Sequence, residues 1–269
     1  MKTNKNAVPV AGDMTPEASA DIVSLVTEAA GSGTLYIVPT PVGNLDDMTP
    51  RAVSVLKSVS LILAEDTRTS AGLMRHFGIE TPMSSHHKFN EHTACVRVIE
   101  RLLGGEDIAL VSDAGTPGIS DPGFLLSREC RRNGVRVVTL PGATAMVPAL
   151  VDSGLPCERF FFEGFLPLKK GRATRLQELA AMPVSVVIYE SPLRVARTLS
   201  QLAEVCGPDR EASVSREISK LYENTQRGTL SGLAAYFAEN PPRGEIVIVV
   251  GPAKDLQPAK VHKNKYKDD

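Results

Sequence analysis

The sequence predicts an α/β protein built from two α/β domains. Strand and helix signals alternate from residue 34 to residue 140, which is the cadence of a parallel sheet. The apolar runs of that half end in loops rich in glycine and proline, the setting in which ligands bind at the carboxyl ends of parallel strands. From Pro141 the rhythm changes, and the last strand signals follow one another closely enough for antiparallel pairing, so the second half reads as a mixed sheet.

The elements follow in order. Residues 1–32 show a weak helical periodicity at Ile22, Val23, Leu25 and Val26, are otherwise small and polar, and lead into Gly31-Ser32-Gly33, which reads as a flexible extension. Residues 34–39 form a short apolar strand, and Thr49-Pro50 starts a helix through Lys57, with threonine as cap and proline as first helical residue. A second strand spans 60–65 and a helix 68–77; Asn90 caps a helix to Leu103. Residues 107–111 are apolar enough for a strand buried on both faces, Asp121-Pro122 starts a helix through Arg131, Gly134 closes it, and 135–140 is the next strand. A small-residue helix at 143–151 opens the second half. Phe160-Phe161-Phe162, a polar loop, a helix over 172–181, a strand at 184–189 and a Ser191-Pro192-capped helix to Val205 come next, followed by strands at 212–216, 221–228 and 245–250. The expected domains are 33–141 and 142–253. The tail 254–269, with five lysines and no apolar cluster, is expected to be disordered, the second reading being electrostatic contact with RNA.

Composition narrows the function. A 269-residue chain with 42% hydrophobic and 23% charged residues can bury two ordinary cores. A formal net charge of −1 excludes a globally basic nucleic-acid glove, although a local basic groove stays open. Cysteines 95, 130, 157 and 206 show no CxxC spacing, which argues against a disulfide framework or a zinc ribbon and for a reducing cytoplasm. No apolar run approaches the roughly 20 residues that span a bilayer, and the N-terminus carries acids and prolines in place of a signal-peptide core, so no membrane association is expected.

Four stretches hold chemistry. In the first, a buried strand stops at Asp113 and runs through Ala114-Gly115-Thr116-Pro117-Gly118-Ile119-Ser120-Asp121-Pro122-Gly123, where backbone amides and a carboxylate converge at a strand end; the alternative is a turn with no ligand. The loop Val38-Pro39-Thr40-Pro41-Val42-Gly43-Asn44-Leu45 leaves another strand end. Neither loop is a G-x-G-x-x-G fingerprint and the chain has no G-x-x-x-x-G-K-[ST], which argues against a dinucleotide or a nucleoside triphosphate. In Ala64-Glu65-Asp66-Thr67-Arg68, the two carboxylates suit general-base work, or else Asp66 caps the next helix with Arg68 as its ion-pair partner. In Tyr189-Glu190-Ser191-Pro192-Leu193-Arg194, Arg194 suits anion binding at a helix start, with simple capping by Ser191 equally open. His86, His87 and His92 match no metal-ligand spacing, and no metal is predicted. The basic loop Lys169-Lys170-Gly171-Arg172 with Arg175, together with Arg68, Arg194 and Arg197, is the best phosphate-binding patch; otherwise it is a solvated helix end.

Five blocks carry a resemblance. Tyr36 through Leu45, Ala64-Glu65-Asp66-Thr67-Arg68, Val111 through Gly123, Phe162-Glu163-Gly164-Phe165-Leu166-Pro167 and Tyr189-Glu190-Ser191-Pro192, in that order, resemble the bacterial 16S rRNA cytidine 2′-O-methyltransferases of the tetrapyrrole methylase superfamily, over nearly all of 33–252. The resemblance implies a class III methyltransferase: two α/β domains with S-adenosylmethionine in a cleft between them, as a homodimer. It implies methylation of a decoding-centre cytidine ribose in 16S rRNA of the small ribosomal subunit. Pro41 matches the first cofactor loop, and Asp113, Ala114 and Gly115 match the second. Thr144 and Ala145 match the small residues facing the cofactor, while Glu190 and Ile218 would approach the adenosine. The chain departs from the pattern at Pro39, where alanine is common, at Leu193, where histidine is common, and in its N-terminal extension.

Methyl transfer from a sulfonium is a direct displacement, so no nucleophilic side chain is required, while a ribose hydroxyl gains from a carboxylate acceptor. Glu65 and Asp66 are the candidates for that role, ahead of Asp113. Two other classes stay open, a tetrapyrrole methyltransferase and a noncatalytic rRNA-binding assembly factor. The basic loop argues against the first and the cofactor loops against the second.

Overall fold

The computed structural model describes residue 29, residues 31–86 and residues 91–253. The readings made on residues 1–28, His87, the Asn90 cap, the side chain of His92 and the tail 254–269 lie outside the described residues. The chain divides into two compact units that interleave in sequence. The first comprises Met1–Val38, Pro50–Asp113 and Pro122–Leu140, the second Pro39–Thr49, Ala114–Asp121 and Pro141–Asp269. A linear division at residues 141 and 142 does not describe this, because two loops of the first half pack with the second unit.

The first unit is a five-stranded parallel sheet. Its strands are β1 (Thr34–Ile37), β2 (Leu61–Ala64), β3 (Met83–Ser85), β4 (Ile108–Val111) and β5 (Arg136–Thr139), in the order β3-β2-β4-β1-β5. All four residues of β2 and of β4 are buried, which explains their unbroken apolar runs. The helices are α1 (Pro50–Ser58), α2 (Thr67–His76), α3 (Glu91–Leu103) and α4 (Phe124–Arg132). Leu102 of α3 and Leu126 of α4 pack with Leu35, Leu63, Ile108 and Leu110. Cys95 and Cys130 lie in the same core, where burial pushes the Cys130 thiol up to about 12 and leaves it inert.

Two expectations differ here. Strand β3 was not foreseen: Met83-Ser84-Ser85 is short and half polar because it pairs only with β2, at the sheet edge. Helix α4 starts two residues later than Pro122, and its N-cap is Gly123 at φ 131°, with no side-chain cap. Asp121 therefore does not cap it.

The second unit carries a mixed sheet of β6 (Phe160–Phe165), β7 (Ser185–Glu190), β8 (Glu211–Arg216), β9 (Asn224–Thr229) and β10 (Ile246–Val250), in the order β6-β7-β10-β8-β9. Only the β6–β7 pair is parallel. Helices α6 (Arg172–Ala180), α7 (Val195–Cys206) and α8 (Leu230–Glu239) cover one face through Leu176, Leu199, Leu202, Leu233 and Phe237 against Ile188, Val214 and Ile248. On the other face α5 (Met146–Asp152) sets Ala149 and Leu150 against Val187, Val247 and Val249, with Ile218 completing the cluster.

Helix α8 was not expected either; Thr229 caps it, its hydroxyl accepting the Gly232 N–H at 3.1 Å. The strand read at 221–228 begins at Asn224, and Leu221 and Tyr222 stand exposed in the turn before it. Ser191 does not cap α7: residues 191–194 make a separate turn, with the Arg194 N–H donating to the Ser191 carbonyl at 2.9 Å, and the helix starts at Val195. Among the described residues all four cysteines are free, and no helix is long and apolar enough to cross a membrane.

Candidate active site

Three segments of the second unit build a cavity of about 510 Å³ and its support. The first two are the loop that follows β1, which lines the cavity through Val42, Asp47 and Thr49, and the loop that follows β4, which gives it no lining residue. They are joined by an isolated antiparallel bridge in which Thr40 and Gly115 exchange backbone hydrogen bonds, each of 2.9 Å. Gly115 holds φ 79°, a left-handed conformation that strains other residues. The third segment begins at Pro141 and lines the cavity with Gly142, Ala143 and Thr144, followed by Val147 and Pro148 of α5. The Thr116 hydroxyl ties the second loop to the third by donating to the Ala143 carbonyl at 3.2 Å. Gly142 lies against the Pro39 ring so closely that a Cβ there would sit 2.6 Å from Pro39 Cβ.

The opposite wall comes from the turn between β8 and β9, through Ile218, Ser219 and Glu223. Glu217 and Ser219 hold φ 51° and 67°, left-handed values that cost about 1–3 kcal/mol each for a non-glycine residue. A dense set of bonds keeps them there. The Glu217 N–H donates to the Glu245 carbonyl at 2.9 Å, while its carboxylate accepts the Glu245 N–H at 3.0 Å and Lys220 Nζ at 2.9 Å. The Glu245 N–H, and then Lys220, hold the Glu217 carboxyl below the usual range. Ser219 donates its N–H to the Glu223 carboxylate at 2.6 Å and its hydroxyl to the Asp47 carboxylate. Asp47 ends the 3-10 turn Leu45–Asp47, which Asn44 caps by accepting the Asp46 N–H.

The walls are thus apolar at Val42, Ile218, Val147 and Pro148 and carry carboxylates at Asp47 and Glu223. Each carboxylate accepts one bond from Ser219 and has further lone-pair sites for a hydroxyl or ammonium donor. A ligand with a flat ring and such donors matches this lining.

Of the residues read as cofactor contacts, Thr144 and Ile218 line the cavity, Pro41 precedes Val42, and Ala145 follows Thr144 as the N-cap of α5. Ala114 and Gly115 belong to the second loop. Asp113 falls in the first unit, where its carboxylate accepts the Asp66 N–H at 3.2 Å. Thr144 also bonds the Tyr189 phenol, which burial pushes up in pKa and which packs edge-on against Phe162 and Phe165. Asp47, Thr49, Ser219 and Glu223 were missed. Thr49 read only as a helix cap and the other stretches as turn and strand, and only the charge density of 217–223 marked them.

Several site readings are corrected. The Glu190 side chain is fully buried and accepts from the Ser191 N–H at 2.7 Å, the Thr198 hydroxyl at 2.6 Å and Arg194 Nη2 at 2.7 Å, so it faces no ligand. Arg194 is held by that carboxylate and is not an open anion site. Arg172 is buried too, bonding Gln201 at 2.9 Å, the Pro167 carbonyl at 3.2 Å and Thr198 at 2.7 Å, with Glu190 3.8 Å away. Arg175 is bound to Glu163 and Glu178 and lies over the Phe161 ring. Within the basic loop, Lys169 and Lys170 remain exposed to solvent.

Asp66 is the N-cap of α2: it accepts the Arg68 N–H at 2.8 Å and the Arg68 guanidinium at 3.0 and 2.6 Å. The guanidinium first, and then the N–H, lower its pKa to about 2, which makes it a feeble proton acceptor. A depressed folded-state pKa means that the cap contributes stability above the unfolded value near 4 and loses it as pH falls toward 2. Carboxyl NMR titration is expected to place the Asp66 midpoint near 2, and Asp66→Asn to change the single-turnover rate of the reaction by less than about tenfold. A midpoint near 4, or a hundredfold rate loss with intact substrate affinity, would restore Asp66 as a base.

The profile of the Tetrapyrrole (Corrin/Porphyrin) Methylases matches residues 34–234. The chain belongs to this family. Tetrapyrrole methylases of known structure share its fold: a cobalamin biosynthetic enzyme, cobalt precorrin-4 methyltransferase, superposes with a TM-score of 0.62 at 16% identity, covering 81% of this chain and 94% of that one. Diphthine synthase gives 0.65 at 13% identity over 81% and 90% of the two chains, a likeness of fold alone. The tetrapyrrole methylase-like α/β fold expected from the sequence is borne out. Nearer in sequence stand proteins named "Ribosomal RNA small subunit methyltransferase I". The one from Xylella fastidiosa strain Temecula1 is 50% identical over 232 residues, 85% of either chain. That from Pseudomonas aeruginosa PAO1 is 49% identical over 222 residues, 81% of this chain and 79% of the relative.

Proposed function

We propose that this tetrapyrrole methylase binds S-adenosylmethionine in the second-unit cavity and methylates the 2′-hydroxyl of a cytidine in 16S rRNA of the small ribosomal subunit. Identity of 50% over 85% of a chain named as a small-subunit rRNA methyltransferase carries the substrate reading. The cavity supports the cofactor reading: its volume suits a ligand of that size, and its lining joins apolar walls to the carboxylates of Asp47 and Glu223. Val42, Ile218 and Val147 would hold the adenine ring, while Asp47 and Glu223 would hold hydroxyl and ammonium donors. When bound, the sulfonium supplies an electrophilic methyl group. The chain's own contribution is then to position and to exclude water, which supplies about 7–11 kcal/mol of barrier reduction in well-oriented reactions. Glu65 is the carboxylate we assign to the acceptor hydroxyl, since Asp66 is committed to α2 and Arg68. Phosphates would be met by Lys169 and Lys170. The reading extends to a cytoplasmic homodimer.

The test is incubation with methyl-labelled cofactor and small subunits lacking the modification, followed by mapping of the label. Label on one cytidine ribose is expected; label on a base, or none, overturns the reading. Reversing charge at Lys169 and Lys170 should flatten the salt dependence of subunit binding by about 0.7–0.9 per lost phosphate contact and leave cofactor affinity unchanged. An unchanged slope assigns the loop to solvent.

A further inference from the structure

Strand β6 ends on an open aromatic ring, that of Phe165, which is 56% exposed. A bulge sets its direction. Phe162 and Phe165 lie three residues apart, a spacing that sends the side chains of a regular strand to opposite faces. The β6–β7 register slips by one residue between Phe162 and Gly164, where Gly164 takes φ 69°. The slip returns Phe165 to the face of Phe162, and both rings meet Tyr189 edge-on, at 5.7 and 5.0 Å respectively. Glu163, the residue left over, turns to Arg175. The Tyr189 phenol in turn bonds Thr144 of the cavity wall. Contact therefore runs from the cavity through Thr144 and Tyr189 to a ring that faces solvent.

Cations stand at the same end of the sheet. Strands β6 and β7 are parallel and Phe165 pairs with Tyr189, so the loop 166–171 and the turn 191–194 leave the sheet side by side. The arginines between them are committed, Arg172 and Arg194 to Glu190 and Arg175 to Glu163. Lys169 and Lys170 of the loop and Arg197 in the first turn of α7 stay exposed. An open aromatic ring beside exposed cations matches single-stranded nucleic acid, whose bases stack on the ring while its phosphates meet the cations.

We propose that Phe165 stacks on a nucleobase of the RNA substrate, with Lys169, Lys170 and Arg197 on the flanking phosphates. The proposal rests on the RNA-methyltransferase reading above and adds to it a contact that positions the base. A base is joined to the ribose that carries the reacting hydroxyl. Fixing the base on a ring that touches Tyr189 therefore fixes the hydroxyl near the cavity.

Two measurements test this. On small subunits lacking the modification, Phe165→Ala is expected to raise the subunit concentration that gives half-maximal rate by at least about tenfold. Phe165→Tyr should keep the wild-type value and Phe165→Leu should not, with cofactor affinity unchanged in all three. Because the chain has no tryptophan, Phe165→Trp places a single indole at the site. Oligocytidylate should quench its fluorescence, and an abasic oligonucleotide of equal length and charge should not. Wild-type half-saturation in Phe165→Ala, rescue by leucine as complete as by tyrosine, or equal quenching by both oligonucleotides overturns the proposal. So does a change in the sedimentation of RNA-free Phe165→Ala, which would give the ring to a second copy of the chain. Quenching by oligocytidylate alone, from an enzyme that labels no subunit, would leave the stacking contact standing and defeat the methyl-transfer reading instead.

Discussion

Gly142→Ala is expected to weaken S-adenosylmethionine binding by at least about tenfold, equivalent to 1.4 kcal/mol, and to destabilise the protein by about 1–3 kcal/mol. The added Cβ would lie 2.6 and 2.9 Å from Pro39 Cβ and Cγ. A proline ring has no rotamer into which to retreat, so one of the two loops must move, and both shape the cavity. Displacing residues 142–144 shifts the backbone beneath the ligand as well as the Thr144 hydroxyl beside Tyr189. Gly72→Ala is the control. A Cβ there meets nothing within 4 Å, and in the middle of α2 it should be neutral or stabilise by up to about 1 kcal/mol. Titration calorimetry and thermal unfolding on the two variants read both effects, and wild-type affinity in folded Gly142→Ala would remove this glycine from the site.

Glu190→Ala is expected to destabilise by about 3–5 kcal/mol, because it leaves the guanidinium of buried Arg172 and that of Arg194 without their carboxylate. For a protein of this size that is a fall of about 6–20 °C in Tm. Glu190→Gln keeps an acceptor for the Ser191 N–H and the Thr198 hydroxyl and should fall between the variant and the wild type. A cofactor-contacting Glu190 would give the opposite pattern, unchanged Tm with lost affinity, so calorimetric unfolding with and without ligand separates the two.

How much of this was legible depended on what each residue reports locally. Unbroken apolar runs such as Ile108–Val111 announced parallel strands, since both faces of such a strand must be buried. Pro50 announced a helix start because its missing N–H is harmless there. The Glu190 network was illegible for the converse reason. Arg172 and Arg194 read as surface charge, and only the fold reveals that they converge from α6 and from the turn before α7 on one carboxylate at the end of β7. The cavity was half legible. Its glycines and the small residues after Pro141 signal close backbone approach, but Asp47 and Ser219 meet across 172 residues of chain, and nothing local to either records the other. Helix α8 was legible and overlooked: behind the Thr229 cap, Leu230, Leu233, Ala234 and Phe237 recur at i, i+3, i+4 and i+7.

The order of strands in the second sheet has a consequence for synthesis. The first sheet has all its strands once Thr139 has been made. In the second, the central strand β10 is the last in sequence, between β7 and β8. Until it arrives, the β6–β7 pair presents an open, largely apolar edge and the β8–β9 hairpin an open, mixed one, the kind of unpaired edge through which nascent chains aggregate. At about 5–20 residues per second, the stretch from Thr229 to Val250 keeps both edges waiting for about 1–4 s. The chain thus completes its first sheet early and reserves its most exposed moment for the final strand, whose insertion closes both edges at once.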